Sequence, residues 1–72
     1  MTSPEIEIMH YFRRYGISAG QMLFFDTGPA RNDPDRFSSA MGALIQRGLV
    51  VQERPMGAYS LTDQGYRASL RV

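Results

Sequence analysis

The chain contains no cysteine. Without cysteine, neither a disulfide framework nor a thiolate zinc site can support the fold, so packing, helix caps or a partner subunit must do so. The longest apolar runs, residues 22–25 and 49–51, are too short to span a membrane, and the N-terminus shows no basic-then-apolar signal pattern. We therefore expect an intracellular, cytoplasmic protein with no membrane partner.

Lysine is also absent, because all eight basic residues are arginine. The planar guanidinium group suits phosphates and guanine edges, although a GC-rich genome with an arginine bias explains the composition equally well. The net charge of +1 is low for a protein that binds nucleic acid. The 72 residues suffice for a single domain, over residues 1–72, and the hydrophobic fraction of 43% predicts a folded, globular chain.

Apolar residues at helical spacing predict two helices in the first third of the chain. Helix one is expected over residues 4–15, with Ser3 as its N-cap and Gly16 as the residue that ends it. Helix two is expected over residues 18–25, because its first four residues match a capping box that ends at Gln21.

Two more helices are predicted in the second half. After a polar loop over residues 30–32, Asp33 is placed to cap helix three and Gly48 to close it. Thr62 is placed to cap a short final helix that ends near Leu70.

Between the last two helices, β-branched and alternating residues predict a hairpin with strands at residues 49–54 and 58–61. Because a helix directly precedes it, the hairpin should project as a wing. The predicted fold class is α+β, mainly α: a winged helix-turn-helix with three helices, a two-stranded antiparallel wing and a short C-terminal helix. The residues expected to be buried together are Phe12, Phe37, Met41, Leu44, Leu49, Val51, Tyr59 and Leu61.

Two stretches resemble winged-helix repressors of the MarR and PadR type. Residues 44–51 contain Gly-Leu-Val after a helix, and residues 57–65 contain Leu-Thr before a helix with a glycine. The resemblance implies a transcriptional regulator that reads duplex DNA with helix three and the wing, and the small size suits a phage or mobile-element protein. The long extra helices with which those repressors dimerise are missing, so a homodimer formed differently and a monomer both remain open.

If Phe37, Met41 and Leu44 face the core, small and polar side chains occupy the outward side of helix three. An exposed glycine within a helix costs about 1 kcal/mol relative to alanine, so either Gly42 serves a close approach or the glycine is only tolerated at this position. Arginines are expected at the flanks of this side, in the preceding loop and on the wing. The predicted DNA-binding residues are Arg31, Asn32, Arg36, Ser38, Ser39, Gly42, Gln46, Arg47, Gln52 and Arg54.

A second class of function stays open, because Asp33 and Asp35 lie at the start of helix three, where they would repel phosphate. These carboxylates favour a protein-protein interaction module, an adaptor or inhibitor that does not bind DNA. His10 alone cannot form a transition-metal site, and the chain has no recognisable catalytic spacing or phosphate-binding glycine loop. We therefore expect no enzymatic activity, no metal and no cofactor, and the expected partner is duplex DNA or, alternatively, a protein.

Overall fold

The structure, a computed structural model, describes residues 1–26 and 28–72, with the backbone alone for Pro29. These residues form an α+β fold, about half helical, in which no helix is long and apolar enough to cross a membrane. The described part of the chain contains four helices and three strands: α1 (Ser3–Arg14), β1 (Met22–Phe24), α2 (Pro29–Asn32), α3 (Pro34–Gln46), β2 (Val50–Gln52), β3 (Ala58–Leu61) and α4 (Asp63–Ser69).

Over the described residues, the strands form one antiparallel sheet of three strands in the order β1-β3-β2, so the expectation of a two-stranded sheet is wrong. The predicted hairpin is present as β2 and β3, in which Val51 pairs with Ser60. The additional strand, β1, pairs with the other side of β3 and places Leu23 opposite Tyr59. The sheet therefore extends beyond the hairpin on the side away from β2.

The segment predicted as helix two, residues 18–25, is instead a turn followed by β1. Part of the predicted capping box does form, because the backbone N–H and the hydroxyl of Ser18 both donate to Oε1 of Gln21, at 2.9 and 3.0 Å. However, Gly20 has φ +84°, which is incompatible with a continuing helix, and its N–H donates to the Leu61 carbonyl at 2.8 Å. A short apolar run is compatible with either a helix or a strand, and here pairing with β3 stabilises the strand.

The polar loop predicted over residues 30–32 is also wrong, because these residues belong to α2. The N–H of Asn32 donates to the carbonyl of Gly28 at 2.9 Å, which closes a helical turn. Proline at the first helical position, here Pro29, has the backbone angle that a helix requires. Thr27, which lies between the segment predicted as helix two and α2, is outside the described residues.

Other helix ends agree with their sequence signals more closely. The helix α1 begins at Ser3, with Thr2 rather than Ser3 in the N-cap position, and Gly16 ends it with φ +65°. The helix α3 begins as predicted, since Oδ1 of Asp33 accepts a hydrogen bond from the N–H of Arg36 at 3.2 Å. Short polar side chains thus set the start of α3, although not that of α1.

The C-terminal end of α3 is bonded directly to the N-terminal end of α4. Gly48 has φ +74° and follows α3 in a Schellman turn, in which the Leu49 N–H donates to the Leu44 carbonyl at 3.0 Å. The hydroxyl of Thr62 donates to the Gly48 carbonyl at 2.6 Å and accepts from the Gly65 N–H at 3.0 Å. A Cβ on Gly65 would lie 1.8 Å from the Leu49 carbonyl oxygen, so only glycine fits there.

The core lies between the helices and one face of the sheet. Most of the residues predicted to be buried lie in the core or pack against it. The prediction is wrong for Val51, because 42% of its surface is exposed. Strand alternation places Val50, opposite Leu61, on the core face instead. The buried cluster consists of Ile8, Met9, Phe12, Phe25, Ala40, Met41, Leu44, Val50 and Leu61.

Leu44 tests this core because its side chain is fully buried. We expect Leu44→Ala to lower the free energy of unfolding by about 2–5 kcal/mol, because it removes apolar contacts and leaves a cavity. Urea denaturation followed by circular dichroism measures the loss. Ser38→Ala, at an exposed position of the same helix, is the matched control and should change the free energy by at most about 0.5 kcal/mol. An unshifted midpoint for Leu44→Ala would contradict the assignment.

Candidate nucleic-acid interface

The side of α3 that faces away from the core is small, polar and open to solvent. Ala40, Met41 and Leu44 point inward, and Ala43 is half-buried. Nothing lies within 4 Å of the position that a Cβ on Gly42 would occupy. We call the exposed residues of this side the α3 face: Ser38, Ser39, Gly42 and Gln46.

Contacts near both ends of α3 fix the direction in which the α3 face points. Toward the N-terminal end, the ring of Phe37 lies against Phe25 and Tyr59, with centroid distances of 5.4 and 6.1 Å. At the C-terminal end, the Schellman turn at Gly48 is bonded to Thr62. The helix is therefore anchored to the sheet and to α4, and the α3 face has a defined orientation.

The β2–β3 hairpin lies beside α3. Gln52 is the cross-strand partner of Tyr59, and Tyr59 packs against Phe37 of α3. Since paired residues share one face of a sheet, Gln52 lies on the side of the sheet that α3 occupies. Arg54 follows in the exposed loop, where 90% of the surface of Met56 is accessible.

Not all arginines of the predicted site are equally available. Arg31, Arg36 and Arg54 are exposed. Arg47 instead donates through Nη1 to Oε1 of Glu5, at 3.2 Å, and the Glu5 side chain is only 9% exposed. Arg47 therefore connects α3 to α1, although its own side chain stays 54% exposed. No local sequence pattern predicts this pair, because its partners are far apart in the chain.

Carboxylates accompany the basic residues at the start of α3. A cleft of about 110 Å³ lies between the first turns of α1 and α3, and its lining includes Glu7 and Asp33 as well as Arg36. Sites for drug-sized ligands have volumes of about 300–1,000 Å³, so this cleft is smaller than a typical small-molecule site. The two carboxylates lower the positive potential beside Arg36. The complete lining is Pro4, Glu7, Ile8, Asn32, Asp33, Arg36 and Phe37.

The structure places all ten predicted DNA-binding residues on the surface. Four form the α3 face, while Arg31 and Asn32 lie in α2, directly before α3, rather than in the loop that the sequence indicated. Gln52 and Arg54 belong to the hairpin and its loop. The predicted residues are thus contributed by three neighbouring elements: the α2 turn, α3 and the hairpin.

Within residues 1–26 and 28–72, no group of three or more histidine, cysteine, aspartate or glutamate side chains could hold a metal ion. His10 is exposed on α1. Comparison with known proteins finds no family, no curated protein and no solved structure that matches this chain.

Proposed function

We propose that this protein is a winged helix-turn-helix protein that binds duplex DNA as a regulator of transcription. In this proposal α3 enters the major groove, and the β2–β3 hairpin is a wing that contacts the flanking backbone. The supporting observation is the open α3 face, on which a Cβ added to Gly42 would meet no other part of the structure within 4 Å. Because base edges lie deep in the groove, a helix without bulky outward side chains can approach them closely.

The arrangement of the elements is compatible with this role. The helices α2 and α3 are separated by Asp33 alone, and the hairpin follows α3 after a single tight turn. The strand β1 pairs with β3 on the side away from β2, so the hairpin loop stays exposed. Arg36 and Arg54, at the start of α3 and in this loop, are the residues that we assign to phosphate contacts. Ser39 and Gln46 of the α3 face can hydrogen-bond to base edges.

The second candidate is a protein-protein interaction module that does not bind DNA. The hairpin loop supports this alternative, because it exposes 90% of the surface of the apolar Met56. Asp33 and Asp35 at the start of α3 would attract a basic protein surface and repel phosphate. The net charge of +1, which is low for a protein that binds nucleic acid, also favours this candidate.

Salt dependence distinguishes the two candidates. Each phosphate contact contributes about −0.9 to the slope of log affinity against log salt concentration. We expect Arg36→Ala and Arg54→Ala each to reduce the magnitude of this slope by about 0.9. Each substitution should also weaken binding to duplexes of different sequence to a similar extent. Fluorescence anisotropy with labelled mixed-sequence DNA at low and moderate salt measures both effects.

The matched control for these arginines is Arg14→Ala. Arg14 is exposed at the end of α1, a helix that packs against the buried side of α3, and its loss should leave the slope unchanged. Absence of binding, or an affinity independent of salt, would contradict the proposal and favour a protein partner.

Gly42→Glu tests whether α3 is the element that enters the groove. Because the site is exposed and open, replacement of this helical glycine should be neutral or mildly stabilising for the fold. Inside a groove, the new carboxylate would meet phosphates and base edges, so we expect DNA binding to fall by at least about tenfold, roughly 1.4 kcal/mol. Thermal denaturation and anisotropy on the same sample separate the two effects.

Two control variants accompany Gly42→Glu. Gly42→Ala adds a methyl group without charge, and His10→Glu adds a carboxylate at an exposed position of α1, outside the proposed interface. His10→Glu should retain DNA binding. If Gly42→Glu keeps its melting temperature and binds DNA as tightly as the parent protein, α3 is not the helix that enters the groove.

A further inference from the structure

The two edges of the sheet differ in how they are protected. Edge strands in natural proteins carry charged residues or proline nearby, which prevents pairing with other chains. The edge strand β2 is followed by Glu53, Arg54 and Pro55. The opposite edge strand, β1, lies in a segment without charged residues or proline, residues 17–25, and the first charged residue after it is Asp26.

The backbone of β1 has hydrogen-bonding groups that point away from the sheet. The N–H of Phe25 donates to the Gly57 carbonyl at 2.8 Å, and residues of an antiparallel strand alternate between bonding inward and outward. Leu23 therefore bonds to β3, whereas Met22 and Phe24 direct their N–H and C=O groups outward. Among the described residues, no strand lies beyond β1 to accept them.

The side chains of the same two residues form an apolar surface beside this edge. Met22 is 48% exposed and Phe24 is 51% exposed. Both lie on the face of the sheet opposite to the core, since Leu23 between them packs against the core. The edge thus offers unpaired backbone groups and apolar side chains at the same positions.

We propose that β1 is the surface through which two copies of this chain pair. In an antiparallel pair with Leu23 opposite Leu23 of the second copy, Met22 of each copy lies opposite Phe24 of the other. Each such pair joins two outward-bonding residues, which can exchange both of their backbone hydrogen bonds. The methionine sulfur also lies beside the phenylalanine ring, a favourable contact. This register uses the outward groups of both residues, and a two-fold axis closes the assembly as a dimer.

Charge and geometry favour a second copy as the occupant. A net charge of +1 per chain produces little repulsion between copies, and the paired segment carries no charge of its own. The helix α3 contacts β2, the strand at the far edge, so pairing through β1 leaves the α3 face accessible. The contact consists of two short strands and four half-exposed side chains, so we expect it to bury less than about 1,200 Å² of surface. Interfaces of this size are weak, and we therefore expect a dimer Kd of about micromolar.

Sedimentation velocity over a range of protein concentrations tests this dimer, without DNA and therefore independently of the proposed function. We expect a reversible monomer–dimer equilibrium. Met22→Lys introduces an exposed charge at the pairing edge and should raise the dimer Kd by at least about tenfold. Gln52→Lys introduces the same charge at the exposed opposite edge and should leave the Kd unchanged.

Hydrogen exchange supplies a second measurement that does not depend on a variant folding. The amides of Met22 and Phe24 should become protected as protein concentration rises, while that of Leu23 is protected at every concentration. A chain that stays monomeric throughout, or a dimer that Met22→Lys does not weaken, overturns the proposal. Concentration-dependent protection at Gln52 instead of Met22 and Phe24 also overturns it, since it assigns the contact to β2.

Discussion

The contact between the end of α3 and the start of α4 is the constraint on which the arrangement of the other elements depends. Thr62 donates to the Gly48 carbonyl and accepts from the Gly65 N–H, and Gly65 lies directly on the Leu49 carbonyl. The Thr62 N–H also donates to the Leu49 carbonyl, at 3.1 Å. These bonds join α3, both ends of the hairpin and α4 at one point. The direction of the hairpin relative to the α3 face is therefore set there.

The residues that carry the resemblance to winged-helix repressors are the residues of this junction. Gly48 supplies the left-handed turn, Leu49 leads into β2, which begins at Val50, and Thr62 and Gly65 form the start of α4. The roles of these five residues are structural, and none of the five belongs to the α3 face. Such a motif informs about the fold and says nothing about the ligand, which depends on the exposed residues of α3 and the hairpin.

Features with a local cause could be predicted from the sequence. Asp33, Gly48 and Thr62 act at helix ends through neighbouring backbone groups, and helical periodicity alone identifies the exposed side of α3. Features that depend on distant parts of the chain could not. The strand β1 exists because β3 offers it a partner, and the Glu5–Arg47 ion pair joins the first turn of α1 to the end of α3. For the candidate site, periodicity predicted the exposed residues of α3, whereas the positions of Glu5 beside Arg47 and of Glu7 near Arg36 required the structure.

The most direct test of the junction compares Gly65→Ala with Gly42→Ala by urea denaturation. Helix propensity alone predicts that each substitution stabilises the protein by up to about 1 kcal/mol, because both glycines lie within helices. A Cβ at residue 65 would lie 1.8 Å from a backbone oxygen, whereas nothing lies within 4 Å at residue 42. We expect Gly42→Ala to be neutral or stabilising, and Gly65→Ala to lower the free energy of unfolding by at least about 1–3 kcal/mol, as overpacked sites do. Equal stability of the two variants would contradict the account.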